Sequence, residues 1–177
     1  MPDFSDYHIW MQKAENERQS NALARYLAQN GVDNVMPIHQ LLRSDEKWKA
    51  CKAQPFVVPP KSDWSNIIPT LKLIRDHVVP VTGPIEALSV FRSPSINTCI
   101  KGASNSSHLR FLAIDMQPVK PIDRDQLIRN LCKLHREKGS ANNMGLGIYS
   151  GSRFHIDSAG YRNWGPDYKT SSSPCPK

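Results

Sequence analysis

Residues 104–116 read Ser104-Asn105-Ser106-Ser107-His108-Leu109-Arg110-Phe111-Leu112-Ala113-Ile114-Asp115-Met116, and the architecture can be built outward from them. The apolar run 111–116 predicts a buried strand, with a short polar stretch before it. Its acid, Asp115, lies between Ile114 and Met116, where a carboxylate is costly to bury unless it is paired or binds a cation. Downstream, Asp123 with Gln126 three residues later forms a capping box. A helix with the apolar stripe Leu127, Ile128, Leu131 and Leu134 follows, and Gly139 closes it. Residues 145–150, 153–157 and 161–164 then read as three strands, with Ser150-Gly151-Ser152 and Ala159-Gly160 as turns. Upstream, Leu88-Ser89-Val90-Phe91 predicts a short strand, and Pro94 opens a brief helix through Asn97 and Cys99.

The first 80 residues read differently. Residues 11–29 carry Met11, Ala14, Leu23, Tyr26 and Leu27 at helical spacing, with Gly31 as the stop. A short helix carries Ile38, Leu41 and Leu42, and another is expected from Ser44-Asp45 through Trp48. Prolines force residues 53–61 to be extended. Ser62-Asp63 caps a further helix with Ile67, Ile68, Leu71 and Ile74, ending before Pro80. The expected fold is therefore α+β: a helical N-terminal part packed on a small antiparallel sheet with one long crossover helix. We divide the chain into a mainly helical portion (1–84), a motif-bearing portion (85–165) and a tail (166–177), within one domain.

Composition narrows the function classes. The chain has 177 residues, 39% hydrophobic and 22% charged, which excludes a low-hydrophobicity disordered chain. No apolar run is long enough to span a bilayer. Its net charge of +7 suits an acidic partner or surface, but Lys and Arg are scattered and no nucleic-acid module is present, so nucleic-acid binding is not expected. The four cysteines, Cys51, Cys99, Cys132 and Cys175, form no C-x-x-C pair, which argues against a zinc ribbon or a thioredoxin-like centre. Two disulfides in an oxidising compartment and free thiols in a cytosolic protein both fit the count. No charged segment followed by an apolar stretch opens the sequence. The chain is expected to be a monomer.

Of six histidines, His108 and His155 stand out by their company. His155 and Asp157 flank Ile156 on a predicted strand, which puts both side chains on one face, ~7 Å apart along the chain. Two imidazoles and the Asp115 carboxylate make a sensible ligand set for catalytic zinc, with a fourth position for water. Seven extended residues would span ~23 Å, so the chain from His108 to Asp115 must bend before Leu112 if both bind one metal. Spacing alone equally allows a loop histidine, a strand-end acid and a surface pair.

Ser106-Ser107-His108-Leu109-Arg110-Phe111-Leu112-Ala113-Ile114-Asp115 resembles the S-x-H-x-x-G-x-A-x-D motif of zinc D-Ala-D-Ala carboxypeptidases. Their relatives include VanX-type dipeptidases, lysostaphin-like endopeptidases and the zinc domain of hedgehog. Phe91-Arg92-Ser93-Pro94-Ser95-Ile96-Asn97 is similar to their Y-R-S/T-x-x-x-N block. Gly145-Leu146-Gly147-Ile148-Tyr149 and the stretch from Phe154-His155-Ile156-Asp157 to Arg162-Asn163-Trp164 resemble their G-x-G-x-Y and F-x-H-x-D…R-x-W endings. The match spans roughly residues 85–165.

The resemblance implies that His108, Asp115 and His155 bind Zn2+, that Arg92 binds a carboxylate or carbonyl of a peptidoglycan stem peptide, and that Ser106 supports the site by a hydrogen bond. Tyr149 is then placed to stabilise an oxyanion, and Asp157 acts as base or orients a ligand. It further implies a periplasmic or cell-wall location, with any signal peptide outside this sequence. The alternative is a non-catalytic zinc domain that binds cell wall or a protein. Two positions depart from the motif: Phe111 stands where relatives have glycine, and Ser152 where many carry the general-base carboxylate.

Overall fold

The structure, a computed structural model, describes residues 1–175. Two helices open it, α1 (Phe4–Met11) and α2 (Ala14–Gln29). The expected single helix over 11–29 thus starts later, and residues before it form a helix of their own. Asp3 supplies the start signal, since its side chain and that of Asp6 cap each other's backbone. Gly31, at φ +66°, terminates α2 as expected. The short α3 (Ile38–Leu41) follows.

The helix expected from Ser44-Asp45 does not form; residues 46–52 are a succession of turns. The two capping residues close a turn instead. Ser44 Oγ donates to the Gln54 carbonyl at 2.7 Å, and Asp45 Oδ1 accepts from the Lys47 amide at 3.0 Å. Beyond the extended stretch, a 3-10 turn (Lys61–Asn66) leads into α4 (Ile67–Leu73). Helical structure does not end before Pro80. A π-helical turn (Ile74–Val78) resets the backbone, and Pro80 falls within the first turn of α5 (Val79–Thr82), where its missing N–H costs no hydrogen bond.

Strand β1 (Ile85–Ser89) and helix α6 (Pro94–Cys99) precede β2 (Ala113–Pro118). Asp123 caps α7 (Arg124–Leu134) through the Gln126 amide at 2.9 Å. The helical path continues as a π turn, His135–Gly139. Strands β3 (Gly145–Ile148), β4 (Phe154–Asp157) and β5 (Arg162–Trp164) complete a five-stranded sheet, ordered β1-β2-β4-β3-β5. The α+β layout holds, with α7 as the crossover from β2 to β3. The sheet, however, is not wholly antiparallel: β5 runs parallel to β3. Both edges of β4 are already taken by β2 and β3, so the chain leaving β4 turns back and adds at the outer edge of β3, in the same direction as β3.

One apolar cluster joins the parts. Leu27, Leu41, Ile67 and Leu71 from the helices pack with Ile114, Met116 and Ile156 of the sheet. From α7, Leu127, Leu131 and Leu134 are buried, each contributing roughly 1.5–3 kcal/mol. Two disulfides tie loops to this frame: Cys51–Cys99 joins the 46–52 turns to α6, and Cys132–Cys175 joins α7 to the tail. All four cysteines are paired in these two bonds. No helix among the described residues is long and apolar enough to cross a membrane.

Candidate metal centre

The polar stretch before β2 folds into one 3-10 turn, Ser107–Arg110, with Ser106 at its N-cap, where Oγ accepts from the His108 amide at 3.4 Å. Phe111 then adopts the left-handed conformation, φ 52° and ψ 42°. That residue makes the bend required between His108 and Asp115. It also gives the motif's glycine a physical meaning, because glycine reaches this conformation without a Cβ clash. Here phenylalanine accepts a strain of roughly 1–2 kcal/mol. Full burial of its ring offsets that strain by a comparable roughly 1.5–3 kcal/mol.

Asp115 on β2 and His155 on β4 are direct cross-strand partners. His108 swings in from the turn, so that one ligand atom from each of the three residues lies within 4.8 Å of the others, all buried. The protonation pattern fits a metal. His108 Nδ1 donates to the Val90 carbonyl at 2.6 Å, and His155 Nε2 donates to Asp157 Oδ2 at 2.8 Å. Each imidazole therefore turns its other nitrogen inward: His108 Nε2 and His155 Nδ1 are 3.2 Å apart and 3.3 and 2.9 Å from Asp115 Oδ1. Fixing a histidine through its outer N–H is how ligand orientation is usually set. Donor chemistry and geometry both suit a borderline cation such as zinc.

Two glycines make room for this arrangement. A Cβ at Gly145 would stand 2.5 Å from Asp157 Oδ1, and one at Gly147 would stand 2.6 Å from the Trp164 ring. Asp157 needs that space. It is completely buried, accepts from the Ala159 amide at 2.9 Å, and is gripped by Arg162 at 2.6 and 3.0 Å. It does not line the cleft; it lies behind His155.

The remaining expected residues surround a cleft of about 490 Å³, which Arg92, Ser106 and Tyr149 line with the three ligand candidates. Arg92 is buried. Its Nη2 donates to Asp115 Oδ2 at 2.5 Å and its Nε to Ser89 Oγ at 2.9 Å, with Asp45 Oδ2 at 3.4 Å. Its Nη1 has no hydrogen-bond partner among the described residues. The Tyr149 hydroxyl accepts from Trp164 Nε1 at 3.3 Å. Among the lining residues that sequence reasoning missed are Asp45, Glu46 and Arg153. Arg153 donates to Asp115 Oδ2 at 2.8 Å and to Glu46 Oε1 at 3.1 Å. Nothing in the chain's local pattern marks the first two, which lie 107 residues or more from Arg153 and come to the cleft only through the fold.

Charges set the titration. Burial, reinforced by Arg92, pushes His108 down to about 4. Burial also opposes the charge on Asp115, but the surrounding groups, His108 and Arg92 foremost, hold its carboxyl well below the usual range. Burial works against a charged His155 as well, yet the hydrogen bonds to Asp115 and Asp157 outweigh it and raise the imidazole above its ordinary value. Burial, with the Asp115 charge beside it, raises Tyr149, which stays a neutral phenol. A consequence follows for metal binding, which needs His155 Nδ1 unprotonated. Because this group's pKa is raised, protons compete as pH falls through neutrality. Affinity is expected to weaken as pH falls, beginning at a higher pH than an ordinary imidazole ligand would show, as a competition titration against a chromogenic chelator would measure.

A family model described as Peptidase M15 matches residues 23–157, from within α2 to the end of β4. That range takes in residues 23–84 of the helical portion, for which the motifs gave no resemblance. No curated protein matches the chain.

Proposed function

Since the chain belongs to the peptidase M15 family, which makes it a metallopeptidase, we propose that it is a zinc peptidase of peptidoglycan stem peptides, most specifically a D-Ala-D-Ala carboxypeptidase. The observation that carries this reading is the buried His108–Asp115–His155 group at the floor of an open cleft. Those three residues would hold the zinc. When bound, the ion would supply Lewis-acid polarisation of the scissile carbonyl and a more acidic water.

The chain's own residues do the rest. Asp157 holds His155 in the ligating tautomer and is itself fixed by Arg162. Ser106 sets the start of the turn that carries His108. Tyr149, neutral and hydrogen-bonded by Trp164, presents its O–H to an oxyanion forming in the cleft. Arg92 turns its unengaged Nη1 to the peptide's terminal carboxylate or carbonyl, for which a planar guanidinium is well shaped. A basic chain is drawn to an anionic cell wall. The two disulfides are compatible with an extracellular or periplasmic site of action.

The test is product analysis on a stem pentapeptide ending in D-Ala-D-Ala. Release of free D-alanine, stopped by a chelator and restored by zinc, is expected. Internal cleavage would make the enzyme an endopeptidase, and metal binding without any cleavage would leave a binding domain.

A further inference from the structure

Peptide hydrolysis needs a group that takes a proton from the attacking water and delivers it to the leaving amine. Among the described residues, the carboxylates lining the cleft are Asp45, Glu46 and Asp115. Asp115 is a ligand candidate already gripped by two guanidiniums. Asp45 is only 4% exposed and immobilised, with Oδ1 on the Lys47 amide and Oδ2 beside Arg92. Asp157 lies behind His155, away from the cleft. Glu46 alone is accessible, with 45% of its side chain exposed and Arg153 as its partner. The guanidinium that holds Glu46 also holds Asp115, so this carboxylate stands one guanidinium away from the ligand group.

Its backbone is firmly placed. The Ser44 carbonyl accepts from Ser89 Oγ at 2.6 Å, Ser44 Oγ donates to the Gln54 carbonyl, and Cys51–Cys99 pins the following turns to α6. The segment is thus a built wall of the cleft carrying a solvent-accessible acid at its rim.

We infer that Glu46 is the catalytic base of this peptidase, an assignment that rests on the proposed function. Leaving Arg153, Glu46 accepts one proton from the water as its oxygen bonds to the peptide carbonyl carbon. It then passes that proton to the amine nitrogen as the C–N bond breaks. One water is consumed, a carboxyl group and an amine are released, and Glu46 returns to its ionised form on Arg153.

Glu46→Gln tests this, beside Glu46→Asp and the parent. Glu46→Gln is expected to match the parent in zinc content and thermal midpoint, while kcat falls at least about 100-fold. KM should change little, and with zinc held in excess the acidic limb of the kcat–pH profile should be lost. Glu46→Asp restores part of the rate. A readout independent of turnover is the binding of a phosphinate isostere of the scissile dipeptide, followed by calorimetry in buffers of different ionisation enthalpy. The parent takes up a proton on binding and Glu46→Gln does not. An active parent whose Glu46→Gln variant keeps its rate, its acidic limb and its proton uptake overturns the assignment and leaves the peptidase standing. A zinc-loaded parent inert on every stem peptide overturns both.

Discussion

Asp115→Asn is expected to destroy metal binding and to destabilise the metal-free protein by about 3 kcal/mol, seen as a fall of roughly 6–12 °C in Tm. The substitution keeps volume and removes charge, so it isolates electrostatics. In the native protein the Asp115 carboxylate is almost wholly buried between Arg92 at 2.5 Å and Arg153 at 2.8 Å, with both imidazoles on its other oxygen. An uncompensated buried cation is the costly outcome of breaking such a pair. Arg92 keeps Asp45 at 3.4 Å and Arg153 keeps the exposed Glu46, which holds the loss near the lower end of the usual range. Chemical denaturation of chelator-treated parent and variant measures it. Equal midpoints would mean that the guanidiniums find water or other partners, and that Asp115 serves only the metal.

Asp157→Asn is expected to weaken zinc binding about 10–100-fold, or about 1.4–2.8 kcal/mol, with turnover falling alongside. The carboxylate receives donors on every side: His155 Nε2, the Ala159 amide and both Arg162 nitrogens. An asparagine must aim its own NH2 at one pair of them, leaving either His155 Nε2 with Arg162 Nη2, or the Ala159 amide with Arg162 Nη1, without an acceptor. If the amide faces His155, the imidazole adopts the other tautomer and turns an N–H toward the metal. The measurement is a competition titration for zinc affinity beside kcat on the stem peptide. Unchanged affinity with lost turnover would move Asp157 from orienting His155 to direct proton transfer, contrary to its burial behind that residue.

What the sequence made legible follows from how local each signal is. The α7 helix is announced by Asp123 and Gln126 within one turn and by an apolar stripe that needs no partner to be seen. Asp115 betrays itself because a lone acid in an apolar strand demands compensation, and the strand register then pairs it with His155. The requirement that the chain bend before Leu112 is met by Phe111 in the left-handed region. Other features depend on partners distant in sequence. The edge on which β5 lands is decided by which strands already flank β4, so a hairpin-like turn at Ala159-Gly160 leads to a parallel pairing with β3. Ser44 and Asp45 look like helix caps, but Ser44 Oγ donates to the distant Gln54 carbonyl and Asp45 accepts from the Lys47 amide with Arg92 beside it. The same displacement brings Glu46 to Arg153, a meeting that no spacing rule anticipates. Pro80 misleads because a π turn absorbs its constraint.

The most direct test of the account is elemental analysis of protein purified without chelator, with His108→Ala as control. About one zinc per chain in the parent and almost none in the variant is the predicted result. A parent that takes up no zinc even after supplementation would contradict it, and the buried His108–Asp115–His155 group would then be a hydrogen-bonded network in the core rather than a metal site.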